Sequence, residues 1–388
     1  MRSNVYLLAF FTVCVLLLSL SFACGTGESN DIPANGPPSP GDTPVQSPDL
    51  ESPGEPVIPS SDRQEPLTAE EMKNMTLRQL AERKQMYIGT CFPPAAFSNT
   101  LWRERVGKEF DLAVIYSGIT WCDIERQQDN FNFKSADQQI QFAESQDMAV
   151  CGHAIIFPED LPDWLRFSSF NNDEILAALE NHVTEVVSKY KDQVDMWIPV
   201  EEATLIYHGQ PDFLYDKLGL EYIDIVYRIV RDIDPEATLL YNDYDNHSSD
   251  GITTEFTREI VQRLKSQGLI DGVGLEMHLD GDNPPDKQDM IATMQSYGIP
   301  VHITEMDVDI KNFTGSMEER YEKQAAIYRD VIEAYLESGV GESFSVFGMC
   351  DKYSWLNYLS SNVDPTLLDN ELNPKPAYFA IHDALCKD

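Results

Sequence analysis

The chain has 388 residues and a hydrophobic content of 42%, enough for one large folded domain with additional segments. Its formal net charge of −37 argues against nucleic acid or an anionic membrane surface as a partner, because both carry the same sign of charge. The charge favours solubility and a neutral or cationic substrate. Seven cysteines are present, but no Cys-x-x-Cys or Cys/His spacing indicates a metal site.

Residues 1–23 have the pattern of an export signal, with Arg2 at the positive end and an apolar segment over 5–20. The sequence Ser21–Gly25 resembles a bacterial lipoprotein cleavage box in which Cys24 is the lipidated residue. An ordinary cleaved signal and an uncleaved anchor are the alternatives. We therefore predict an exported bacterial protein, extracellular or held at the cell surface, whose membrane attachment is a lipid on Cys24.

Residues 24–67 are predicted to form a tether. Ten prolines lie between Gly25 and Pro66, among scattered Ser, Gly, Asp and Glu and almost no aromatic residues. Such a segment cannot bury enough apolar surface to offset the entropy lost on ordering, and its prolines favour an extended chain. The folded domain is predicted to span residues 68–388.

From residue 68 onward, short apolar runs alternate with amphipathic helical segments. The predicted strands are Met86–Cys91, Leu112–Ile119, Met148–Ile156, Val194–Val200, Thr238–Tyr241, Gly272–Leu279, Ile299–Glu305 and Ser343–Gly348. Apolar runs separated by helices indicate a parallel sheet with helical crossovers. Eight such units favour a closed (β/α)8 TIM barrel of the α/β class over an open doubly wound sheet. No Gly-rich phosphate or dinucleotide loop follows the first strand, which also disfavours the open sheet.

Two of these strands end in glutamates. The fourth is followed by Glu201 and Glu202, and the seventh ends at Glu305. Charged side chains are rare along a strand that is buried on both faces. The carboxyl ends of parallel strands form the ligand-binding rim, where charged residues are expected. The two strand ends therefore predict paired-carboxylate chemistry.

Other strand ends carry the residue types of a sugar site. The third strand ends near His153, the fifth at Asn242 and Tyr244, and the sixth carries Glu276 and His278, while the eighth leads to Asp351–Trp355. Aromatic faces stack on the apolar faces of pyranose rings, and carboxylates and amides hydrogen-bond the hydroxyls. We predict that a polysaccharide binds at this rim.

The sequence resembles glycoside hydrolase family 10, the endo-β-1,4-xylanase family, over most of 86–385. The matching motifs, in the family's order, are Phe133–Asp137 with Phe142 and Ala143, Gly152-His153 with Leu161–Leu165, Asp234–Ala237 with Tyr241–Tyr244, Gly272–His278, Ile303–Asp307, Asp351–Trp355 and Asn373–Tyr378. The resemblance implies a (β/α)8 barrel that hydrolyses xylan or a related β-1,4-glycan with retention of anomeric configuration. It implies no cofactor and no metal, and we expect a monomer.

The resemblance also implies roles for individual residues. Glu202 closes the fourth-strand motif Trp197–Glu202 at the position of the acid/base, and Glu305 stands at the position of the nucleophile. Retention would place their carboxyl groups about 5–5.5 Å apart. His278 corresponds to the histidine that bonds the nucleophile, and His153 and Asn242 correspond to residues lining the site.

The sequence allows two interpretations of the rim aromatic residues and two of the rim carboxylates. Tyr244 and Trp355 are interpreted as sugar platforms, with core aromatics as the alternative. The rim carboxylates could also hold a divalent cation.

Several substrate-contact positions depart from the family pattern. Glu201 replaces an asparagine and Glu276 a glutamine, while Gly118 and Thr120 replace a glutamate and a lysine, and Phe157 replaces a tryptophan. Added carboxylates raise one another's pKa, so we expect some to stay protonated at neutral pH and the pH optimum to be shifted. Glu201 either contacts sugar or points outward, because neighbouring strand residues face opposite sides. A weakened or inactive carbohydrate-binding barrel and a glycosidase of different sugar specificity are therefore the rival hypotheses.

Overall fold

The computed structural model describes residues 68–204, 212–361 and 363–387. The predicted signal segment, the tether and Cys24 lie outside these described residues. Eight parallel strands close into a barrel in chain order, as predicted. They are β1 Tyr87–Cys91, β2 Leu112–Ile115, β3 Ala149–Ile156, β4 Met196–Val200, β5 Thr238–Tyr244, β6 Gly272–Asp280, β7 Val301–Asp309 and β8 Gly341–Val346.

Helices connect the strands and surround the barrel. Their bounds are Ala69–Met72, Leu77–Arg83, Thr100–Glu109, Trp121–Ile124, Lys134–Ser145, Asp163–Arg166, Asn172–Tyr190, Phe213–Leu218, Glu221–Ile233, Thr254–Ser266, Lys287–Ser296, Met317–Ser338 and Pro376–Leu385. The two longest begin with capping boxes, in which Asn171 pairs with Glu174 and Ser316 with Glu319. None of the described helices has the length and apolar character needed to cross a membrane.

The predicted strand ends differ from the observed ones in two informative places. The second strand is predicted to reach Ile119, but β2 ends at Ile115, and Gly118 within the predicted run has a φ of 90°, which extended backbone does not adopt. In contrast, β7 runs to Asp309, four residues beyond its predicted end. Glu305 and Glu276 therefore lie within strands, and the pairing of β6 with β7 fixes where their side chains point.

Successive side chains of a strand point to opposite faces, so the barrel has two separate apolar layers. In β2, Ala113 and Ile115 belong to the large cluster between barrel and helices, whereas Leu112 and Val114 belong to a smaller cluster. The smaller cluster consists of Cys91, Leu112, Val114, Cys151, Ala154, Met196, Ile198 and Leu240. These side chains fill the barrel interior, which is the usual way for a (β/α)8 barrel to form a packed core. The five cysteines of the described residues are free thiols.

Candidate active site

The predicted polar residues gather at the carboxyl ends of the strands. They are His153 on β3, Glu201 and Glu202 directly after β4, Asn242 on β5, Glu276 and His278 on β6, and Glu305 on β7. All are buried except His278, which is partly buried. Buried polar groups at this density must satisfy one another, so their hydrogen bonds determine what the site can do.

Glu305 lies between two imidazoles. The Nε2 atom of His153 is 3.0 Å from Glu305 Oε1, and the Nε2 atom of His278 is 3.2 Å from Glu305 Oε2. Burial alone would raise the pKa of the Glu305 carboxyl, but the charges and hydrogen bonds of the two histidines hold it at about 2. Glu305 is therefore ionised across the whole physiological pH range, which is the state a carboxylate nucleophile requires.

His278 is fixed as a cation by carboxylates on both of its ring nitrogens. Its Nδ1 atom is 3.0 Å from Asp307 Oδ1, and its Nε2 atom faces Glu305. Because neither carboxylate can donate, each nitrogen carries a hydrogen. Burial would lower the pKa of His278, but Asp307 and Glu305 raise it to about 10. Trp355 Nε1 donates to Asp307 Oδ2 at 2.8 Å, so Asp307 supports the rim.

Asn242 connects Glu305 to Glu276. Its Nδ2 atom donates to Glu276 Oε1 at 2.8 Å and to Glu305 Oε1 at 3.1 Å. The ionised Glu305 can only accept, which orients the amide nitrogen of Asn242 toward it, and the Thr304 hydroxyl lies 2.6 Å from Asn242 Oδ1 and 3.1 Å from the Leu275 carbonyl oxygen. A Cβ on Gly274 would lie 2.1 Å from Asn242 Oδ1, so only glycine leaves room for this side chain.

A β-bulge between β6 and β7 places these groups. Leu275 pairs with Ile303, but the next residue, Glu276, pairs with Glu305, so Thr304 is the extra residue of β7. The bulge brings Glu276 and Glu305 side by side on the rim. It also directs Thr304 toward Asn242, a contact that sequence reasoning missed because it depends on strand register.

Glu201 and Glu202 both turn into the site. Glu201 Oε2 lies 3.0 Å from His153 Nε2, so of the two alternatives the inward-pointing side chain is the one observed. Glu202 has a φ of 47°, in the left-handed region, which breaks the alternation of the strand. Glu201, Glu202 and Glu276 each contribute an oxygen to a set in which all the atoms lie within 4.8 Å of one another.

The environment of Glu202 is opposite to that of Glu305. Burial raises the pKa of Glu202 well above its usual range, and the nearby carboxyls of Glu201, Glu159 and Asp243 raise it further. Among the described residues, no lysine or arginine forms an ion pair with Glu201, Glu202, Glu276 or Glu305. The direction of this pKa shift favours the protonated form of Glu202, which is the form that a general acid requires.

Aromatic side chains line the rim near His278. Trp355 and Phe347 approach the His278 ring edge-on, with centroid distances of 5.0 and 5.1 Å, and Phe347 packs on Tyr116 at 5.0 Å. Trp355 and Tyr244 are half-buried, which leaves part of each ring accessible. Neither Phe347 nor Tyr116 was predicted at the rim, because both lie inside the predicted strands Ser343–Gly348 and Leu112–Ile119, whereas β8 ends at Val346 and β2 at Ile115.

The substituted positions that follow β2 and β3 carry uncharged side chains. Thr120 is buried at the start of the short helix Trp121–Ile124, and Phe157 is half-buried after β3. A Cβ on Gly118 would lie 2.5 Å from Ser135 Oγ. These residues add no positive charge to the carboxyl cluster, so neutralisation depends on the two histidines and on bound protons.

Three overlapping sets of donor atoms have a spacing that could hold a cation. They are His153, Glu201 and Glu305, then Glu276, His278 and Glu305, and finally Glu201, Glu202 and Glu276. The first two sets contain the imidazoles that are already hydrogen-bonded to Glu305. The third set consists of carboxyl oxygens alone, which suit hard cations such as Ca²⁺ or Mg²⁺.

Comparison with known proteins identifies the family. Residues 76–384 match Glycosyl hydrolase family 10. Endo-1,4-β-xylanase B of Thermotoga neapolitana is 30% identical over 326 residues, covering 81% of this chain and 92% of the relative. Native xylanase 10B from Thermotoga maritima superposes with a TM-score of 0.75 at 31% identity, over 80% of this chain and 98% of that chain.

A ligand-bound structure belongs to the same group. Xylanase 10B from Thermotoga petrophila RKU-1 in complex with xylobiose has a TM-score of 0.76 and 30% identity, and the match covers 80% of this chain and 97% of that chain. The family match and the fold agree with each other. The chain therefore belongs to glycosyl hydrolase family 10 and is a glycoside hydrolase that resembles endo-1,4-β-xylanases.

Proposed function

We propose that this chain is a retaining endo-β-1,4-glycanase that hydrolyses xylan or its oligomers, with Glu305 as nucleophile and Glu202 as acid/base. The observation that carries the proposal is the difference in partners between the two buried carboxyls. Two imidazoles lie 3.0 and 3.2 Å from Glu305 and lower its pKa, whereas burial among other carboxyls raises the pKa of Glu202. Two carboxyls with separated pKa values are the requirement of the double-displacement mechanism.

In the first step, Glu305 Oε attacks the anomeric carbon as Glu202 transfers its proton to the glycosidic oxygen. The bond between the anomeric carbon and that oxygen breaks, and the glycosyl group becomes esterified to Glu305. As negative charge leaves Glu305, the hydrogen bonds from His153 and His278 weaken, and both imidazoles are then partly uncompensated. The histidines therefore favour departure of the sugar in the second step.

In the second step, Glu202 is ionised and removes a proton from water. The resulting oxygen nucleophile attacks the anomeric carbon, and the ester bond to Glu305 breaks. Glu202 is reprotonated and Glu305 is released as a carboxylate, so the original charges are restored. Two inversions at one carbon give net retention.

The remaining rim residues are proposed to hold the sugar. His153, Glu201, Asn242 and Glu276 supply polar contacts from the barrel side. Tyr244 and Trp355 are half-buried rings whose accessible parts can pack on a pyranose face. Trp355 is anchored through Asp307, so it can serve as a platform at little entropic cost.

The test is a digest of xylan, β-1,4-glucan, mannan and an aryl β-xyloside by the purified chain and by the Glu305→Gln variant. We expect the wild type to release oligomers from xylan with the β-anomer formed first, as followed by proton NMR. Glu305→Gln should lower turnover at least about 10³-fold, because no other group can form the ester. Turnover unaffected by this substitution would rule out Glu305 as the nucleophile.

The same panel separates the two rival functions. Binding of xylan without turnover by the wild type would indicate a carbohydrate-binding barrel, for which Glu201, Glu276 and Thr120 in place of other contacts are the motivating feature. Faster turnover of glucan or mannan than of xylan would indicate a different sugar specificity. Either outcome would replace the xylanase proposal.

We also propose that the protein is exported and carries a lipid on Cys24, with residues 24–67 as a tether and a monomeric barrel. The support is the sequence of residues 1–67 alone. Metabolic labelling with radioactive palmitate should mark the wild type expressed in a bacterium and not the Cys24→Ala variant. Equal labelling of both proteins, or of neither, would contradict a lipid on Cys24.

A further inference from the structure

The rim contains more carboxyls than nearby cations. Glu201, Glu202, Glu276 and Glu305 are all at least nine-tenths buried, and the positive groups that contact them are His153 and His278. If every one of these groups were charged, four negative and two positive charges would leave a net charge of −2. Buried carboxylates without a partner are strongly unfavourable, so the cluster must take up about two protons or a cation.

Hydrogen bonding determines which atom of Glu276 would carry a proton. The ionised Glu305 orients the amide nitrogen of Asn242 toward it, and this nitrogen also donates to Glu276 Oε1 at 2.8 Å. Oε1 is therefore an acceptor. A proton on Glu276 belongs on the other oxygen, Oε2.

Oε2 of Glu276 has no hydrogen-bond partner among the described residues, and neither does Oε1 of Glu202. The two side chains are only 1% and 2% exposed, so solvent contact is minimal. An unpartnered polar atom in a buried site is costly, and native proteins retain such atoms where a ligand supplies the partner. Both atoms belong to residues of the cluster beside Glu305, where the proposed reaction takes place.

We propose that Glu276 is a second neutral carboxylic acid in the site and donates a hydrogen bond from Oε2 to a hydroxyl oxygen of the bound sugar. Glu202 supplies the proton that is transferred, whereas Glu276 keeps its proton and positions the substrate. The inference rests on the proposed function, because it requires a sugar beside Glu202 and Glu305. It makes substrate affinity depend on a proton, since an ionised Glu276 can accept a hydrogen bond but cannot donate one.

The groups facing Glu276 from the neighbouring strands support a neutral side chain. They are Glu305 from β7, Glu201 and Glu202 from the end of β4, Asn242, Asp243 and Tyr244 from β5, and His278 from β6 itself. Burial raises the pKa of Glu276 well above its usual range, and the surrounding carboxyls raise it further. The carboxyls that face it outnumber the cations, because the one imidazole in this set is bonded to Asp307 and Glu305.

The test is a pH series of kcat and KM for a xylo-oligosaccharide with the full chain, Glu276→Gln and Glu276→Leu. Glutamine accepts from Asn242 and donates at every pH, so the KM of Glu276→Gln should stay constant on the alkaline side. The wild-type KM should rise about two- to tenfold over the same range, the value of one hydrogen bond. Glu276→Leu should show the raised KM at all pH values.

Glu125→Gln is the matched control, because Glu125 is an equally buried glutamate whose carboxyl bonds Trp121 and His182 and no member of the carboxyl cluster. It should leave the pH dependence of KM unchanged, and thermal unfolding checks that each variant folds. A Glu276→Gln variant with the raised KM of Glu276→Leu, or a wild-type KM that is flat with pH, would overturn the proposal. So would calorimetric binding of Ca²⁺ or Mn²⁺ that Glu276→Gln abolishes, since the cluster would then hold a cation instead of protons.

This inference and the proposed function fail in different ways. Full activity of Glu305→Gln would end the proposed mechanism whatever the Glu276 variants do. Loss of activity in Glu305→Gln, with identical pH profiles for wild type and Glu276→Gln, would leave the mechanism intact and remove only the role of Glu276.

Discussion

The two sides of the active site place a glutamate carboxyl in opposite electrostatic environments. On the β7 side, Glu305 receives hydrogen bonds from His153, His278 and Asn242, and its pKa is held at about 2. On the β4 side, Glu202 lies among other carboxyls, and its pKa is well above the usual range. The difference is one of partners, because both side chains are almost fully buried.

Burial by itself therefore does not set the protonation state of a glutamate. Desolvation raises the pKa of both groups, and only charged donors at close range reverse the effect. Both imidazoles contact the Glu305 carboxylate, and neither forms an ion pair with Glu202. This unequal distribution separates a nucleophile from an acid within one rim.

The largest effect is expected from removing the acid. Glu202→Ala should lower kcat/KM on xylo-oligosaccharides roughly 10²–10⁴-fold, because the sugar leaving group departs poorly without a proton. The first step with a nitrophenyl xyloside should be much less affected, since nitrophenolate leaves without protonation. Steady-state and burst kinetics on the two substrates measure the difference, and equal losses on both would contradict acid catalysis by Glu202.

An intermediate effect is expected from removing one cation on the nucleophile side. In wild type the pKa of Glu305 is lowered to about 2, so the ionised form persists down to that pH. His278→Asn removes a positive charge, so the pKa of Glu305 should rise. The acidic limb of kcat/KM should then move upward by about one to three pH units.

The control for this prediction is His182→Asn, because His182 is a fully buried imidazole bonded to Glu125 outside the rim. It should change the thermal unfolding temperature and leave the acidic limb in place. An acidic limb that does not move in His278→Asn would show that His278 does not keep Glu305 ionised.

The smallest effect is expected from Glu201→Asn. Glu201 shares the Nε2 hydrogen of His153 with Glu305, so its removal gives that hydrogen to Glu305 alone. Asparagine also supplies a donor to sugar at every pH. We expect KM for xylo-oligosaccharides to fall about two- to tenfold, equivalent to about 0.5–1.5 kcal/mol, and a raised KM would show that the carboxylate itself binds substrate.

The sequence predicts the barrel because hydrophobic runs and helices alternate eight times, and the closed order β1 to β8 confirms it. It also predicts the glutamates that follow β4 and the one on β7, although Glu305 lies within β7 and not at its end. It does not predict the bulge at Thr304 or the positive φ of Glu202, because both arise from tertiary packing. The contact between His278 and Asp307 is also not predicted, because it depends on the register of β6 against β7.

The most direct test of the central claim is to trap the glycosyl-enzyme with a 2-fluoro xyloside that carries a good leaving group. The fluorine destabilises the oxocarbenium-like transition state of both steps, and the leaving group lets the first step proceed. We predict one sugar per chain, found by mass spectrometry on the peptide that contains Glu305. Label on another residue, or inverted product from an unlabelled enzyme, would contradict the account.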